Sequence, residues 1–562
     1  MNSSCANCDT GFEVTDSDLA FLDKVSPVFA GKKHPLPPPT HCPECRQQRR
    51  LVWQNNRSLY KRKCDATGKE LISNFSPQAV FPIYEKEYWF SDKWNALSYG
   101  RDFDFSKTFA ENFRELQKEV PRFHIQQQEP MENSKHCNFA SNCKNCYLLF
   151  DSDFCRDSCY CYSLKKSESC FDSSFLSESE LCYECVNCSG CYNVQYAQNC
   201  RNCSDSVFLE SCVGCKHCAF SVNLKNSEYC FANEQLSKEK YEEKLKEMSL
   251  DSYASIAKYY EEFPQYCAKQ IHKYQQGEQN ENVTGDYIYN SKNIKNGFNI
   301  QECWDIAYCV LINRAKNCMD VSSFGEDIEK IYECATAGLN TQNCAFCFTN
   351  VVGSHDLYYC DTAYSSENCF GCVCIHRASH CILNKQYSKE EYEKQVSKII
   401  EHMKETGEWG EFFSITSSPF AYNETMAQEY FSMTKEEVEA KGWRWRDIKD
   451  EIPEVEKTIP GNQLPDSIDD IPDDILNWAI ECEVTQRPFR IVSQELAFYR
   501  SMKLPIPHLH PDLRHKKRME MRNPRKMFDR QCDNCSKEIQ TTYAPDRPEK
   551  VLCEECYLKE VY

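Results

Sequence analysis

The chain has 562 residues, 39 of them cysteine, and a net charge of −19. That length exceeds one ordinary core, so several domains are expected. No stretch approaches the roughly 18 apolar residues that span a bilayer, and MNSSCANCDT lacks the basic and apolar regions of a signal peptide, so a reducing cytoplasm and no membrane partner are expected.

Residues 1–130 read as an N-terminal zinc module plus a helical connector. Cys5-x2-Cys8 is followed, after thirty-three residues, by Cys42-x2-Cys45, a spacing that lets four thiolates surround one tetrahedral Zn(II). Trp89, Trp94 and the amphipathic Phe105–Val120 stretch supply the connector.

Residues 131–232 form the first repeat array. Seventeen cysteines fall between residues 137 and 230, and all but Cys159 share one three-residue register. The in-phase residues are Cys, Ser, Ala, Leu or Val. Cys155, Cys170, Cys185, Cys200, Cys215 and Cys230 lie fifteen apart, which predicts a β-solenoid with a 15-residue coil and five small inward side chains per coil. Residues 233–283 predict a helical spacer. Residues 284–385 form a second array at an offset of 151, in phase from Ile288 to Val321, slipping around Glu326–Asn350 and returning at Leu357. Cys155, Cys170 and Cys200 become Ile306, Val321 and Val351 there, which marks these positions as packing rather than metal or disulfide sites.

Residues 386–480 read as a capping helix, with a Ser388/Glu391 capping box, and a Pro- and Asp-rich acidic linker at 451–475. Residues 481–562 form the C-terminal zinc module, where Cys532-x2-Cys535 and Cys553-x2-Cys556 are separated by seventeen residues. The fold class is thus mainly β with helical spacers: two short-coil β-solenoid arrays flanked by duplicated zinc modules.

The two ends are copies. At an offset of 468, Leu36, Arg46, Arg50, Arg57 and Cys64 meet Leu504, Arg514, Arg518, Arg525 and Cys532. At 477, Cys5, Phe12 and Phe21 meet Cys482, Phe489 and Phe498. Each module therefore holds two potential metal positions. The N-terminal copy keeps the first and has lost the second to Cys64, Thr67, Glu85 and Tyr88. The C-terminal copy has lost the first to Cys482, Thr485, His510 and Leu513 and keeps the second. Two structural Zn(II) ions are expected, with the lost positions holding their backbone shape through packing and side-chain hydrogen bonds.

The Pro38–Arg46 segment, PPTHCPECR, with Cys5-x2-Cys8 before it, resembles the treble-clef zinc-ribbon family. Cys532–Cys556 resembles the CxxC-x17-CxxC zinc-binding domain, including Pro545, Arg547 and Pro548. The whole chain resembles long cysteine-rich proteins of unassigned function from candidate-phylum bacteria. These likenesses imply zinc and no reaction.

The basic stretches lie in the modules: seven Lys/Arg and no acid over 46–63, eight against two acids over 514–530. Arg46, Arg49, Arg50, Arg57, Arg514, Lys516, Lys517, Arg518, Arg522 and Arg525 are the candidate nucleic-acid contacts, with Trp53 or Tyr60 to stack on bases. A solvated helix face is the equal alternative. The expected function is non-catalytic zinc binding with contacts to RNA, DNA or a ribonucleoprotein. The alternative is a protein-interaction scaffold using solenoid faces, with Tyr147, Tyr183 and Tyr192 on its surface. Four-cysteine sites leave zinc no open position, and no catalytic constellation or small-molecule substrate is evident, so an enzyme is not expected.

Overall fold

The computed structural model describes residues 1–323, 325, 329–334, 338, 340–447 and 454–561. It is mainly β, a solenoid of about 20 turns in all, with a tetracysteine cluster at each end. Helices lie outside the arrays, among them Phe109–Glu119 in the connector and Lys238–Glu247 and Tyr253–Cys267 in the spacer.

The coil is shorter than the cysteine spacing suggested. Phe150 stacks in parallel register on Tyr162, Tyr162 on Ser174 and Ser174 on Val186, which is twelve residues per coil. Four triplets close a turn, not five. The fifteen-residue series is a multiple of the triplet that steps through all four inward columns in succession, so it carries no structural period. The backbone explains the number four. Nearly every described triplet has an inward residue, an extended residue and a left-handed one, as at Asn142, Asn145, Leu148, Asp151 and Phe154, with φ of 52°, 53°, 52°, 54° and 56°. Each left-handed residue turns a corner, and four corners make a square coil. That conformation costs a non-glycine residue roughly 1–2 kcal/mol. Two ladder hydrogen bonds per triplet offset it: Lys144 N–H donates to Cys155 O, and Asp157 N–H to Lys144 O, both at 3.0 Å.

The amide of the inward residue stands outside this ladder and points into the core. There it finds an acceptor on the coil before. Ser152 Oγ takes the Leu164 N–H at 3.0 Å, Ser158 Oγ that of Cys170 at 3.0 Å, and Cys161 Sγ that of Ser173 at 3.4 Å. The single proton of the same thiol is within reach of two acceptors, the carbonyls of Cys159 and Cys170 at 3.1 and 3.3 Å. Inward cysteine is therefore both a small hydrophobe and a hydrogen-bonding bridge between coils.

Array 2 begins with an eleven-residue coil, Val283 on Ile294, then runs at twelve, Ile288 on Ile300 and Ile300 on Ile312. Its slip, which falls partly outside the described residues, consists of coils of thirteen: Val321 on Cys334 and Cys344 on Leu357. Three successive one-residue insertions move the register by one whole triplet, which is why Leu357 returns in phase with Ile288.

Both arrays end on asparagine. Asn233 Oδ1 accepts from Val222 N and its Nδ2 donates to Val222 O, at 2.8 and 3.0 Å; Asn384 does the same to Val373 at 2.8 and 2.9 Å. The Lys389–Glu405 helix follows, capped by Ser388 Oγ on Glu391 N–H at 3.2 Å, and buries Val396, Ile399 and Ile400. Of the capping box, the Ser388 half is the one observed. The acidic segment, where described, is a packed strap: Ile468, Ile471 and Ile475 are buried, and Asp466 Oδ1 accepts from Ala254 N at 2.9 Å. Its aspartates face out while isoleucines at near-helical spacing anchor it.

Candidate metal centres

In the N-terminal module, Cys5 opens a tight knuckle: Asp9 N–H donates to Cys5 O at 2.9 Å and Cys5 N–H to Thr10 O at 3.0 Å. Cys42 caps the Pro43–Leu51 helix and Cys45 sits in its first turn. The four sulfurs of Cys5, Cys8, Cys42 and Cys45 lie within 4.8 Å of one another, as do those of Cys532, Cys535, Cys553 and Cys556. Cys8 and Cys42 Sγ are 3.8 Å apart, and so are Cys535 and Cys553 Sγ. A tetrahedron with metal–sulfur bonds of about 2.3 Å has edges of about 3.8 Å, so the donor set and spacing fit a tetrathiolate ion. Burial pushes the Cys5 and Cys532 thiols up, but amide donors, from Cys42 and Asn7 at one and from Cys553 and Cys535 at the other, hold both down at about 6. One thiol of each centre is thus held toward the thiolate form, while hydrogen bonding to neighbouring cysteines and burial push Cys42, Cys553 and Cys556 up, so the full set of thiolates would come with the cation that displaces their protons.

The two lost positions keep the fold of the intact ones. Cys64 N–H donates to Lys69 O at 2.9 Å where Cys532 N–H donates to Lys537 O at 2.8 Å, and Glu85 N–H reaches Cys64 Sγ at 3.3 Å where Cys553 N–H reaches Cys532 Sγ at 3.3 Å. Around Cys64, Glu85 binds Thr67 at 3.0 Å and Lys69 at 2.7 Å. At the other lost position, Gln486 N–H donates to Cys482 O at 2.9 Å, matching Asp9 on Cys5, and His510 Nδ1 accepts from Asp512 N–H at 3.1 Å. Among the described residues, the two tetracysteine groups are the metal-ligand clusters found.

The basic helices are docked inward. Arg46 Nε donates to Asp320 at 2.7 Å, Arg50 lies 3.0 Å from the same carboxylate, and Arg49 bridges Glu333 and Glu411 at 2.6 and 2.9 Å. In the C-terminal copy Arg514 binds Asp172, and Arg518 bridges Asp172 and Glu184 at 3.0 and 3.2 Å. Arg50, Arg518, Asp172, Asp320 and Glu333 have no solvent exposure. The acids occupy matching corners of the coils: Tyr160, Asp172, Glu184, Tyr196 and Phe208 in array 1 correspond to Tyr308, Asp320, Glu333, Phe346 and Tyr359 in array 2. Arg514 stacks on Tyr160 at 4.8 Å and Arg46 on Tyr308 at 5.0 Å. The N-terminal module therefore clasps array 2 and the C-terminal module clasps array 1.

These placements bear directly on the expected nucleic-acid contacts. Arg46, Arg49, Arg50, Arg514 and Arg518 are buried in ion pairs and cannot reach a phosphate. Arg57 pairs with Glu429 and Asp512 at 3.5 and 3.1 Å; Arg522 lies 3.9 Å over Phe175 and Arg525 lies 3.6 Å over Tyr430. Lys516 and Lys517 are exposed. Trp53 is buried against Phe348, and Tyr60 hydrogen-bonds Glu424, so neither ring is offered to a base. Of the tyrosines expected on the solenoid surface, Tyr192 is exposed, Tyr147 is partly covered, and Tyr183 is buried under Phe498 and Tyr499. The missed signal was the corner column, with its repeated Tyr–Asp–Glu–aromatic order. No protein-family model matches the chain, and no curated protein matches it.

Proposed function

We propose that the protein is a non-catalytic scaffold, locked by two structural Zn(II) ions, that carries protein partners on its solenoid faces. The observation behind this reading is the fate of the basic helices: their guanidiniums hold the modules onto one face of each array, which leaves the undocked solenoid faces as the large surface without an internal role. Four thiolates fill zinc's coordination, which suits a structural ion, and the resemblance of both ends to zinc ribbons agrees with it. None of the 39 cysteines is in a disulfide, consistent with a reducing cytoplasm.

Metal analysis of the natively purified protein tests the first half: two zinc per chain are expected, and none or four would refute it. Cross-linking in cells followed by nuclease treatment tests the second. Protein cross-links should map to array residues such as those around Tyr192 and Trp304, both exposed. Recovery of nucleic acid alone would sink the scaffold reading.

A further inference from the structure

Between the arrays runs a groove of about 330 Å³ whose chemistry differs from the rest of the molecule. One wall is a column of array 1 on which Ser189, Arg201, Val213 and Lys225 stack on successive coils. Arg201 and Lys225 stand two coils apart, about 9.6 Å at the usual strand spacing. The other wall is the start of array 2, with Tyr287, Tyr289, Asn290 and Asn299, and the Lys273–Glu278 segment closes one end.

Three lining cations, Arg201, Lys225 and Lys273, face a single lining carboxylate, Glu278, in a chain whose net charge is −19. Arg201 holds Glu278 through both terminal nitrogens, and Lys273 binds Gly277 O and Glu554, each at 2.9 Å. Burial and the nearby Arg201 depress the Lys225 ammonium, so an anion beside it would favour its charged form. Behind the wall Arg522 spans Phe175 and Tyr287 at 3.9 and 5.1 Å and donates to Asn299 at 2.8 Å. Counting Glu554, three cations stand against two carboxylates, a local excess of positive charge in an acidic molecule that favours an anion over a cation.

Two further observations narrow the anion. Tyr289 is half-buried on the groove and makes no ring contact or side-chain hydrogen bond among the described residues. Asn187 Oδ1 and Arg522 Nε are fully buried polar atoms without a hydrogen-bond partner, one an acceptor on the groove and the other a donor at its back. An aromatic face, carboxamides and cations together match the three parts of a nucleotide: base plane, base edge and phosphate. The volume suits one nucleotide or a short run of single strand and excludes a duplex.

We propose that this inter-array groove binds a nucleoside phosphate, with Tyr289 stacking on the base and Lys225, beside the Arg201–Glu278 pair, holding phosphate. The ligand is either a free nucleotide or part of a single strand. This goes beyond the scaffold reading and does not depend on it.

The test is fluorescence anisotropy of a short labelled single-stranded RNA with the full-length zinc-loaded protein at low salt, with unlabelled ATP as competitor. Binding should weaken about tenfold or more in Lys225→Glu and about fivefold or more in Tyr289→Ala, and fall as salt rises. Lys516→Glu with Lys517→Glu should change it less than about twofold, since those residues lie away from the groove. Displacement by ATP identifies the free nucleotide; resistance to ATP with tight RNA binding identifies the strand. Lys225→Gln, with zinc content and melting temperature unchanged, separates charge from folding. The proposal fails if neither probe binds, if polyglutamate binds as tightly as RNA, or if folded Lys225→Gln and Tyr289→Ala variants bind like the parent.

Discussion

A hydroxyl or thiol on the inward register does what a methyl group cannot: it accepts the amide of the next coil while donating to a carbonyl. Ser152 illustrates it, taking the Leu164 N–H at 3.0 Å and giving its own proton to Phe150 O at 2.9 Å. Ser152→Ala strands a buried N–H, at a cost of about 1–3 kcal/mol, whereas Ser152→Cys keeps an acceptor. Hydrogen exchange at the Leu164 amide should accelerate in the alanine variant and change little in the cysteine one. His515 is a second residue whose setting has a measurable consequence. Burial, with Arg57 and Arg518 nearby, holds it down at about 4, against the opposing pull of Glu429. A histidine lowered from about 6.5 to 4 favours the folded state above pH 6.5, and that preference is lost as pH falls toward 4 because the unfolded chain takes up the proton first. Between pH 7 and 5 the loss is about 2 kcal/mol, and His515→Gln should flatten that part of the urea midpoint against pH.

At the scale of elements, the docking of a helix on a coil rests on few groups. Asp172 receives both Arg514 and Arg518 with no solvent in reach. Asp172→Ala leaves two guanidiniums facing a depleted partner set and should cost about 3–5 kcal/mol, read as a fall in urea midpoint; Lys516→Ala, on the exposed side of the same helix, should cost less than about 0.5 kcal/mol. The tetracysteine centres, the duplication and the inward register were legible because each imposes residue identity: a ligand must be cysteine, and an inward side chain must be small. The coil length was not, because cysteine on all four columns hides the column period. The corner positions held it, in the twelve-residue spacing of Tyr160, Asp172, Glu184, Tyr196 and Phe208. The basic helices misled for a related reason. Sequence shows a run of arginines but not the acid it will meet, and Asp172 and Asp320 lie hundreds of residues from Arg514 and Arg46.

At the scale of the molecule, the modules clasp opposite arrays, but the two tetracysteine centres are not placed equivalently relative to the clasps. In the N-terminal module the intact centre includes the cap and first turn of the docking helix, Cys42 and Cys45. In the C-terminal module the docking helix Pro511–Glu520 is headed by His510 at the lost position, and its cap is a side-chain bond rather than a ligand. The intact centre there adjoins different contacts: Lys550–Leu552 pairs with Ile271–Lys273, and Thr541 and Thr542 bind Tyr274 and Asp286 at 2.7 and 2.9 Å. Loss of each ion should therefore loosen a different part of the protein. Cys8→Ser should reduce metal to one ion per chain and speed hydrogen exchange over 43–56 and in the coil carrying Asp320. Cys535→Ser should also leave one ion, but speed exchange over 528–561 and 271–289 while Pro511–Glu520 and the Asp172 coil stay protected. Cys64→Ser and Cys482→Ser should keep both ions, since those thiols belong to positions already rebuilt without metal. If Cys535→Ser exposed the Pro511–Glu520 helix as fully as Cys8→Ser exposed Pro43–Leu51, the clasps would both depend on metal and the inequivalence argued from His510 would be wrong.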